Sequence, residues 1–202
     1  MTNKFLLILL LTLIYSCHCK GQEIKFNPKA LDLDNKATDL VMKGKLDSAL
    51  LLLDKAIQAD STYYPAYGLK ASIYSQKHLP DSEIVQLENE LKLKPDFAEV
   101  WCSLGMCYDK KGDSLTAFKC YNKSIELFNQ RILYPDKTKK TDYTRANRLN
   151  RAVTKILTGQ VKQGQDELQE LKKEDPDNID SYIINSLINK SRQEVLEELM
   201  KK

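Results

Sequence analysis

The chain has 202 residues, of which 42% are hydrophobic and 29% are charged, and its formal net charge is +3. This composition is typical of a globular protein with one sizeable core, and the small charge does not indicate a nucleic-acid-binding protein. Glycine (7) and proline (6) are scarce, which favours an all-α fold.

Residues 1–19 have the features of an export signal. Lys4 precedes an apolar run from Phe5 to Tyr15, and Ser16 and Cys17 follow directly. The run is about half of the roughly 20 residues that span a bilayer. A basic start, a short apolar run and small residues after it predict a secretory signal; the alternative is a buried helix of the fold.

Residues 14–17, Ile-Tyr-Ser-Cys, resemble a bacterial lipoprotein cleavage box, with Tyr15 where a small residue is usual. The resemblance implies cleavage before Cys17, a lipid on that cysteine, and a protein anchored in the cell envelope that faces the periplasm. Residues 20–29 are then a flexible tether. The alternative is cleavage near Gly21–Gln22, which gives a soluble periplasmic or secreted protein.

Residues 98–127 predict two amphipathic helices joined at residues 111–113. Apolar side chains recur there at spacings of three and four, which places them on one face of each helix: Trp101, Leu104, Tyr108, Ala117, Phe118 and Tyr121. Gly105 is small where two helices must cross. The stretch resembles one tetratricopeptide repeat (TPR), a helix-turn-helix unit of about 34 residues.

The pattern recurs upstream at the same period. Tyr74 and Leu40 lie one and two periods before Tyr108, and Gly44 lies two periods before Gly112. The resemblance implies an all-α, right-handed TPR solenoid that is closed by a C-terminal capping helix pair. The predicted segments are repeats at 30–63, 64–97 and 98–133, a polar insertion at 134–143, a diverged repeat at 144–178 and capping helices at 179–202.

Three local features refine this prediction. Glu83 and Glu90 occupy positions where the family prefers alanine, which predicts carboxylates near a helix–helix seam. The turn at Gly159 is predicted to be one residue shorter than the turn of the third repeat. Ser191 and Glu194 have the spacing of a capping box for the last helix.

No catalytic site is predicted. The only histidines are His18 and His78, and no arrangement of histidine, cysteine and aspartate offers a nucleophile with its base. Cys17 and Cys19 have the wrong spacing for a zinc site, and no glycine-rich phosphate loop is present. We therefore predict a non-catalytic protein with no cofactor and no metal.

Three further cysteines fall in the third repeat. Cys102 and Cys107 lie five residues apart on one predicted helix with their side chains turned apart, so they cannot form a disulfide. A disulfide between Cys107 and Cys120 is one interpretation. The other is that all three are buried small apolar residues.

TPR proteins use the inner face of the first helix of each repeat as a binding groove. Carried over residue by residue, the resemblance implies a groove lined by Asp34, Thr38, Val41, Gly68, Ser72, Ser75, Cys102, Met106, Asp109, Asn147, Asn150 and Thr154. We expect these side chains to have no packing role. They include no aromatic residue, which favours a protein or peptide partner over a glycan. The cations of the family's clamp for chaperone tails are absent, since Asp34 and Glu99 stand at two of its positions.

The segment between Arg131 and Lys155 is basic, and Arg145, Arg148, Arg151 and Lys155 form a candidate basic face. One interpretation is a site for an acidic partner or an anionic headgroup. The other, which we favour, is a surface neutralised by the acid-rich stretch 166–180.

Together these features predict a non-catalytic protein-interaction scaffold in the cell envelope, which binds a protein or peptide in its groove. The membrane is reached through an N-terminal lipid and not through a spanning helix. The alternative is an envelope binding protein or sensor for a non-protein ligand, such as a glycan or a lipid fragment.

Overall fold

The computed structural model describes residues 25–135 and 143–200. The predicted export signal with Cys17, and residues 136–142 of the predicted insertion, lie outside the described residues. The described chain contains ten helices and no strand, which confirms the all-α fold class. It divides into two compact units, which we call the first unit (Gly21–Asp113) and the second unit (beginning at Ser114).

Five helices make up the first unit, and small residues let them approach closely. Their bounds are α1 Pro28–Met42, α2 Leu46–Ala59, α3 Tyr64–Gln76, α4 Pro80–Leu93 and α5 Ala98–Lys110. Ala37 of α1 and Ala49 and Ala56 of α2 are fully buried around Leu53. Because alanine has only a methyl group, the two helix axes can pack tightly along this seam. Pro80 begins α4, where the missing N–H costs no helical hydrogen bond.

The second unit also contains five helices. Their bounds are α6 Ser114–Leu133, α7 Thr144–Leu157, α8 Val161–Glu174, α9 Ser181–Leu187 and α10 Arg192–Met200. Phe128 of α6, Ile156 of α7, Leu168 of α8 and Ile184 of α9 are almost completely buried in its core. None of the helices among the described residues is long and apolar enough to cross a bilayer.

One turn geometry follows the first helix of each predicted repeat. The turns are three residues long, and the central residue of each has a positive φ: 71° at Gly44, 58° at His78, 81° at Gly112 and 89° at Gly159. In each turn the residue after the central one donates its N–H to a carbonyl five residues earlier, as from Asp113 to Tyr108. This is the hydrogen bonding of a Schellman motif, which favours glycine at the central position.

The turn at Gly159 therefore has the same length as the turn at Gly112. The prediction of a shorter turn is wrong. In both turns the central glycine donates its N–H to a carbonyl three residues earlier and the next residue donates to a carbonyl five residues earlier, and this geometry requires three turn residues. The divergence of the fourth repeat therefore lies in its helices.

An ion pair recurs between successive hairpins of the first unit. Lys77, at the end of α3, contacts Asp47 of α2 at 2.7 Å, and Lys111, at the end of α5, contacts Asp81 of α4. Both residues of the second pair lie 34 positions after those of the first. The period visible in the sequence is thus also a period of contacts between hairpins.

The start of the first unit corrects the predicted tether. Asn27 caps α1 through its side chain, and its N–H donates to Asp60 at 2.9 Å. The Phe26 ring contacts the ring of Tyr63 edge-on at a centroid distance of 4.9 Å. Residues 26–29 therefore belong to the folded unit and not to a flexible tether.

The C-terminal helices are held by a side chain of α8. Gln165 donates to the carbonyls of Leu187 and Lys190 and accepts from the N–H of Asn189 at 2.8 Å. The predicted capping box is present, since the N–H of Ser191 donates to Glu194 at 2.8 Å and the N–H of Glu194 donates back to the hydroxyl of Ser191.

Candidate functional site

The predicted groove residues of the first unit lie on α1, α3 and α5. Asp34 and Ser72 are buried, whereas Thr38 is exposed. The remaining members are half-buried: Val41, Gly68, Ser75, Cys102, Met106 and Asp109. Helices α1 and α3 are in contact, so Asp34 and Ser72 belong to neighbouring hairpins that pack together.

In the second unit the predicted groove residues lie on α7. Asn147 and Thr154 are buried and Asn150 is half-buried. The hydroxyl of Thr154 donates to the carbonyl of Asn150 at 2.7 Å, which is a bond within the helix. The expectation that the groove residues have no packing role is therefore wrong for the four buried ones, which are Asp34, Ser72, Asn147 and Thr154. The repeat period places a residue on a helix face, but it does not show how closely the next helix covers that residue.

The candidate basic face is neutralised within the second unit. Arg145 makes two bonds of 2.9 Å to the carboxylate of Asp180. Arg148 donates to both oxygens of Glu174, at 2.9 and 2.7 Å, and this contact raises the pKa of Arg148 and lowers that of Glu174. These bonds agree with the favoured interpretation, in which the acid-rich stretch neutralises the basic run.

Glu167 of α8 is the centre of this cluster. It is only 6% exposed, and it accepts hydrogen bonds from Arg151 and from Lys155, the latter at 3.0 Å. Arg151 also donates to Asn129 of α6 at 2.8 Å, so the cluster connects three helices. A buried carboxylate held by several cations is stabilising only while the set is complete, since removing one member leaves the others uncompensated.

We expect Glu167→Gln to lower the free energy of unfolding by about 2 kcal/mol, because the amide removes the negative charge, and one of the two acceptor oxygens, that Arg151 and Lys155 share. Urea denaturation measures the change. The control is Glu170→Gln on the same helix, whose carboxylate is mostly exposed and lies 3.6 Å from Arg148. A loss as large in Glu170→Gln as in Glu167→Gln would show that net charge, and not the buried cluster, sets the stability.

Two carboxyl groups of the first unit are buried with little compensation. The phenol of Tyr63 donates to Asp34 at 3.1 Å, and burial raises the pKa of Asp34 to about 6 despite that bond. Burial also raises the pKa of Glu90 to about 8, and the negative charge of Glu99 adds to the shift. The sequence indicated that Glu90 lies near a seam, but nothing in it showed that the side chain is enclosed.

The cysteines of the described chain are thiols. Cys102, Cys107 and Cys120 form no disulfide there, and Cys107 and Cys120 are buried. This agrees with the interpretation of small buried apolar residues for Cys107 and Cys120, whereas Cys102 is only half-buried. The described residues also contain no group of three or more histidine, cysteine or acidic side chains that could hold a metal ion.

One stretch of the chain matches a family model. Residues 98–131 match the model of the tetratricopeptide repeat, and this match includes the predicted helix pair at 98–127. No curated protein sequence matches the chain.

Several solved structures are similar to this one. PilW, a type IV pilus biogenesis factor, is 17% identical with a TM-score of 0.56; the match covers 74% of this chain but only 64% of PilW. YrrB, a TPR protein with an unusual peptide-binding site, is 18% identical with a TM-score of 0.50, over 85% and 84% of the two chains. The Sgt2 TPR domain from Aspergillus fumigatus is 15% identical with a TM-score of 0.50, over 70% and 87%. At these identities the likeness shows a shared fold, which is that of TPR proteins.

Proposed function

We propose that this chain is a non-catalytic scaffold that binds a protein or peptide through the inner faces of α1, α3 and α5 in its first unit, with the predicted face of α7 in the second unit as a separate candidate surface. The observation that carries the proposal is the repeated hairpin, with the same αL turn at Gly44, His78, Gly112 and Gly159. Within the first unit, hairpins that repeat at one period present equivalent helix faces side by side, which is the arrangement that repeat proteins use to bind extended partners.

The polar inner face of the first unit supports a peptide partner. Thr38 is exposed and its hydroxyl can bond to a peptide backbone, and Ser75 and Asp109 are partly exposed polar residues of the same predicted face. The similar YrrB is described as having a peptide-binding site. The cations of the second unit contribute less to this proposal, since Arg145 and Arg148 already contact carboxylates of their own chain.

Site-specific photo-crosslinking in the native host tests the proposed surface. A photoreactive residue at Thr38, which is exposed on α1, should yield a discrete crosslinked protein product. The control is the same residue at Leu51, which is 64% exposed on α2. Products that are identical from both positions, or absent from Thr38, would contradict binding at the inner face.

We also propose that the protein is exported to the cell envelope and held there by a lipid on Cys17. Each buried CH₂ group of an acyl chain contributes about 0.8 kcal/mol, so two or more chains give stable anchoring. The proposal rests on the sequence of residues 1–19.

Metabolic labelling with a fatty acid should therefore label the wild-type protein and not Cys17→Ser. The label should move with the membrane fraction. An unlabelled wild-type protein whose mature N-terminus is Gln22 or Glu23 would assign it instead to the soluble periplasmic or secreted class.

A further inference from the structure

We propose that one side of α1 binds an acidic amphipathic helix of a partner protein. This side, which we call the stacking face, is formed by Leu33, Lys36, Leu40 and Lys43. Helical geometry places it on a different side of α1 from the predicted inner face. The inference therefore adds a second surface to the one in the proposed function.

The stacking face is equivalent to a face of α3 that is covered inside the first unit. One period after its four residues come Tyr67, Lys70, Tyr74 and Lys77. Lys70 contacts Asp54 of α2 at 2.6 Å, and Lys77 contacts Asp47 of α2 at 2.7 Å. The second helix of the preceding hairpin thus packs against this side of α3 and supplies an acid to each of its two lysines.

The same arrangement recurs one period further along the chain. Lys111, at the end of α5, contacts Asp81 of α4, and the phenol of Tyr108 on α5 donates to Glu88 of α4 at 3.0 Å. Helix α4 therefore repeats the acids of α2 at the same period. In both places, two acids seven positions apart on a second helix contact the first helix of the next hairpin and the lysine that follows it.

Helix α1 carries the same cations without this cover. Among the described residues no hairpin precedes α1. The side chain of Lys36 is 61% exposed and contacts Asp32 of its own helix, whereas the side chain of the equivalent Lys70 is 13% exposed. Lys43 is exposed, and no carboxylate of the described chain contacts it. Both lysines are thus accessible to acids from another protein.

The covered faces indicate the chemistry of the partner. Each acid of α2 and α4 is followed three positions later by an apolar residue: Leu50, Ile57, Ile84 and Leu91. Acids and apolar residues at these spacings share one side of a helix. Leu33 and Leu40 of α1 are half-buried, so part of their apolar surface remains open to such residues. The partner helix therefore carries two acids seven positions apart, each followed by an apolar residue.

A second copy of this chain does not supply such a helix. The two acids stand at the second and ninth residues of α2 and of α4, and these helices are already covered by α3 and α5 of the same chain. The other second helices of the described hairpins have no acid at these positions: Leu115 and Asn122 in α6, Lys162 and Gln169 in α8, and Gln193 and Met200 in α10. The charges therefore favour a different protein as the partner.

A stapled peptide with the sequence of α4, Pro80–Leu93, tests the inference. The staple keeps the short peptide helical, and it joins the positions of Ser82 and Gln86, which lie opposite Asp81 and Glu88. Binding of the fluorescent peptide to the whole protein is measured by anisotropy at pH 7 and low salt. The peptide with Asp81→Asn and Glu88→Gln should bind about fivefold more weakly, the size expected of two exposed ion pairs.

Charge reversal in the protein locates the site. Lys36→Glu with Lys43→Glu should abolish the preference for the acidic peptide. The same double variant should prefer a peptide with Asp81→Lys and Glu88→Lys, because both ion pairs are then restored with opposite polarity.

The matched control is Lys55→Glu with Lys119→Glu. It makes the same change of net charge at exposed lysines of α2 and α6, outside the stacking face. The control should keep the preference for the acidic peptide, which separates a local site from a general attraction between the peptide and a basic protein.

The contrary outcomes are distinct. A peptide that does not bind, equal binding of the acidic and neutral peptides, or a preference that survives Lys36→Glu with Lys43→Glu overturns the inference. Self-association of the protein in sedimentation that Lys43→Glu abolishes would assign the stacking face to a second copy and overturn the assignment to a partner protein. None of these results bears on the inner face, which crosslinking from Thr38 tests independently.

Discussion

Gly164→Ala is expected to lower the free energy of unfolding by about 3 kcal/mol, although alanine normally stabilises a helix interior by about 1 kcal/mol relative to glycine. A Cβ at residue 164 would lie 2.5 Å from the backbone oxygen of Ala152 and 2.5 Å from Cγ1 of Ile156. The first of these is a main-chain atom of α7 and cannot rotate away. Helices α7 and α8 would have to separate, which would loosen the packing of Leu168 and Leu171.

Urea denaturation of the whole chain measures this change. The matched control is Gln163→Ala, the neighbouring and exposed residue of α8, which should change stability by less than about 0.5 kcal/mol. A Gly164→Ala protein as stable as the wild type would mean that α7 and α8 can move apart at little cost, and that their seam does not require glycine.

The register of the fourth repeat shows where sequence reasoning succeeds and where it fails. Gly159 was identifiable as a turn residue, because glycine is favoured at a positive φ. Gly164 follows it by five positions, as Ala117 follows Gly112 in the third repeat. Gly164 is therefore the small residue at which α8 packs against α7. A turn that is assumed to be one residue shorter shifts the alignment, and Gly164 then no longer corresponds to Ala117. The strict geometry of the turn, and not the spacing of the leucines, sets the register.

The neutralisation of the candidate basic face could be predicted in part from the sequence. Complementary charge in residues 166–180 indicated that the basic run is neutralised, and the pairs of Arg145 with Asp180 and of Arg148 with Glu174 agree with it. The central role of Glu167 was not predictable. Which of several acidic residues becomes buried depends on the rotation of α8 against α7, and a charge pattern does not specify that rotation.

The groove residues show a similar limit. Periodicity placed Asp34 and Thr38 on the same face of α1, yet Asp34 is buried and Thr38 is exposed. The difference arises from Tyr63, whose phenol reaches back from the start of α3 to Asp34. A contact between residues that are far apart in the chain depends on side-chain length at both ends, so the repeat pattern predicts the face and not its accessible surface.

Glu90 is expected to make the stability of the protein fall as the pH rises from about 4.5 to about 8. Its pKa is raised from the ordinary value of 4.5 to about 8 in the folded protein, chiefly by burial and further by Glu99. Over this interval the unfolded chain releases the proton while the folded chain retains it, so unfolding becomes easier. The stability is fully present below pH 4.5 and is lost as the pH passes through the folded pKa.

Glu90→Gln should remove this dependence. Glutamine has nearly the same shape and no charge, so the variant should be more stable than the wild type at pH 9, by roughly 5 kcal/mol at 1.4 kcal/mol per pKa unit, and about equally stable at pH 4.5. Urea denaturation at pH 4.5, 7 and 9 gives the comparison. Asp81→Asn is the control, since its carboxyl lies at the exposed start of the same helix and should show no such divergence. Parallel pH profiles for the wild type and Glu90→Gln would mean that Glu90 is ionised normally and that water reaches it in solution.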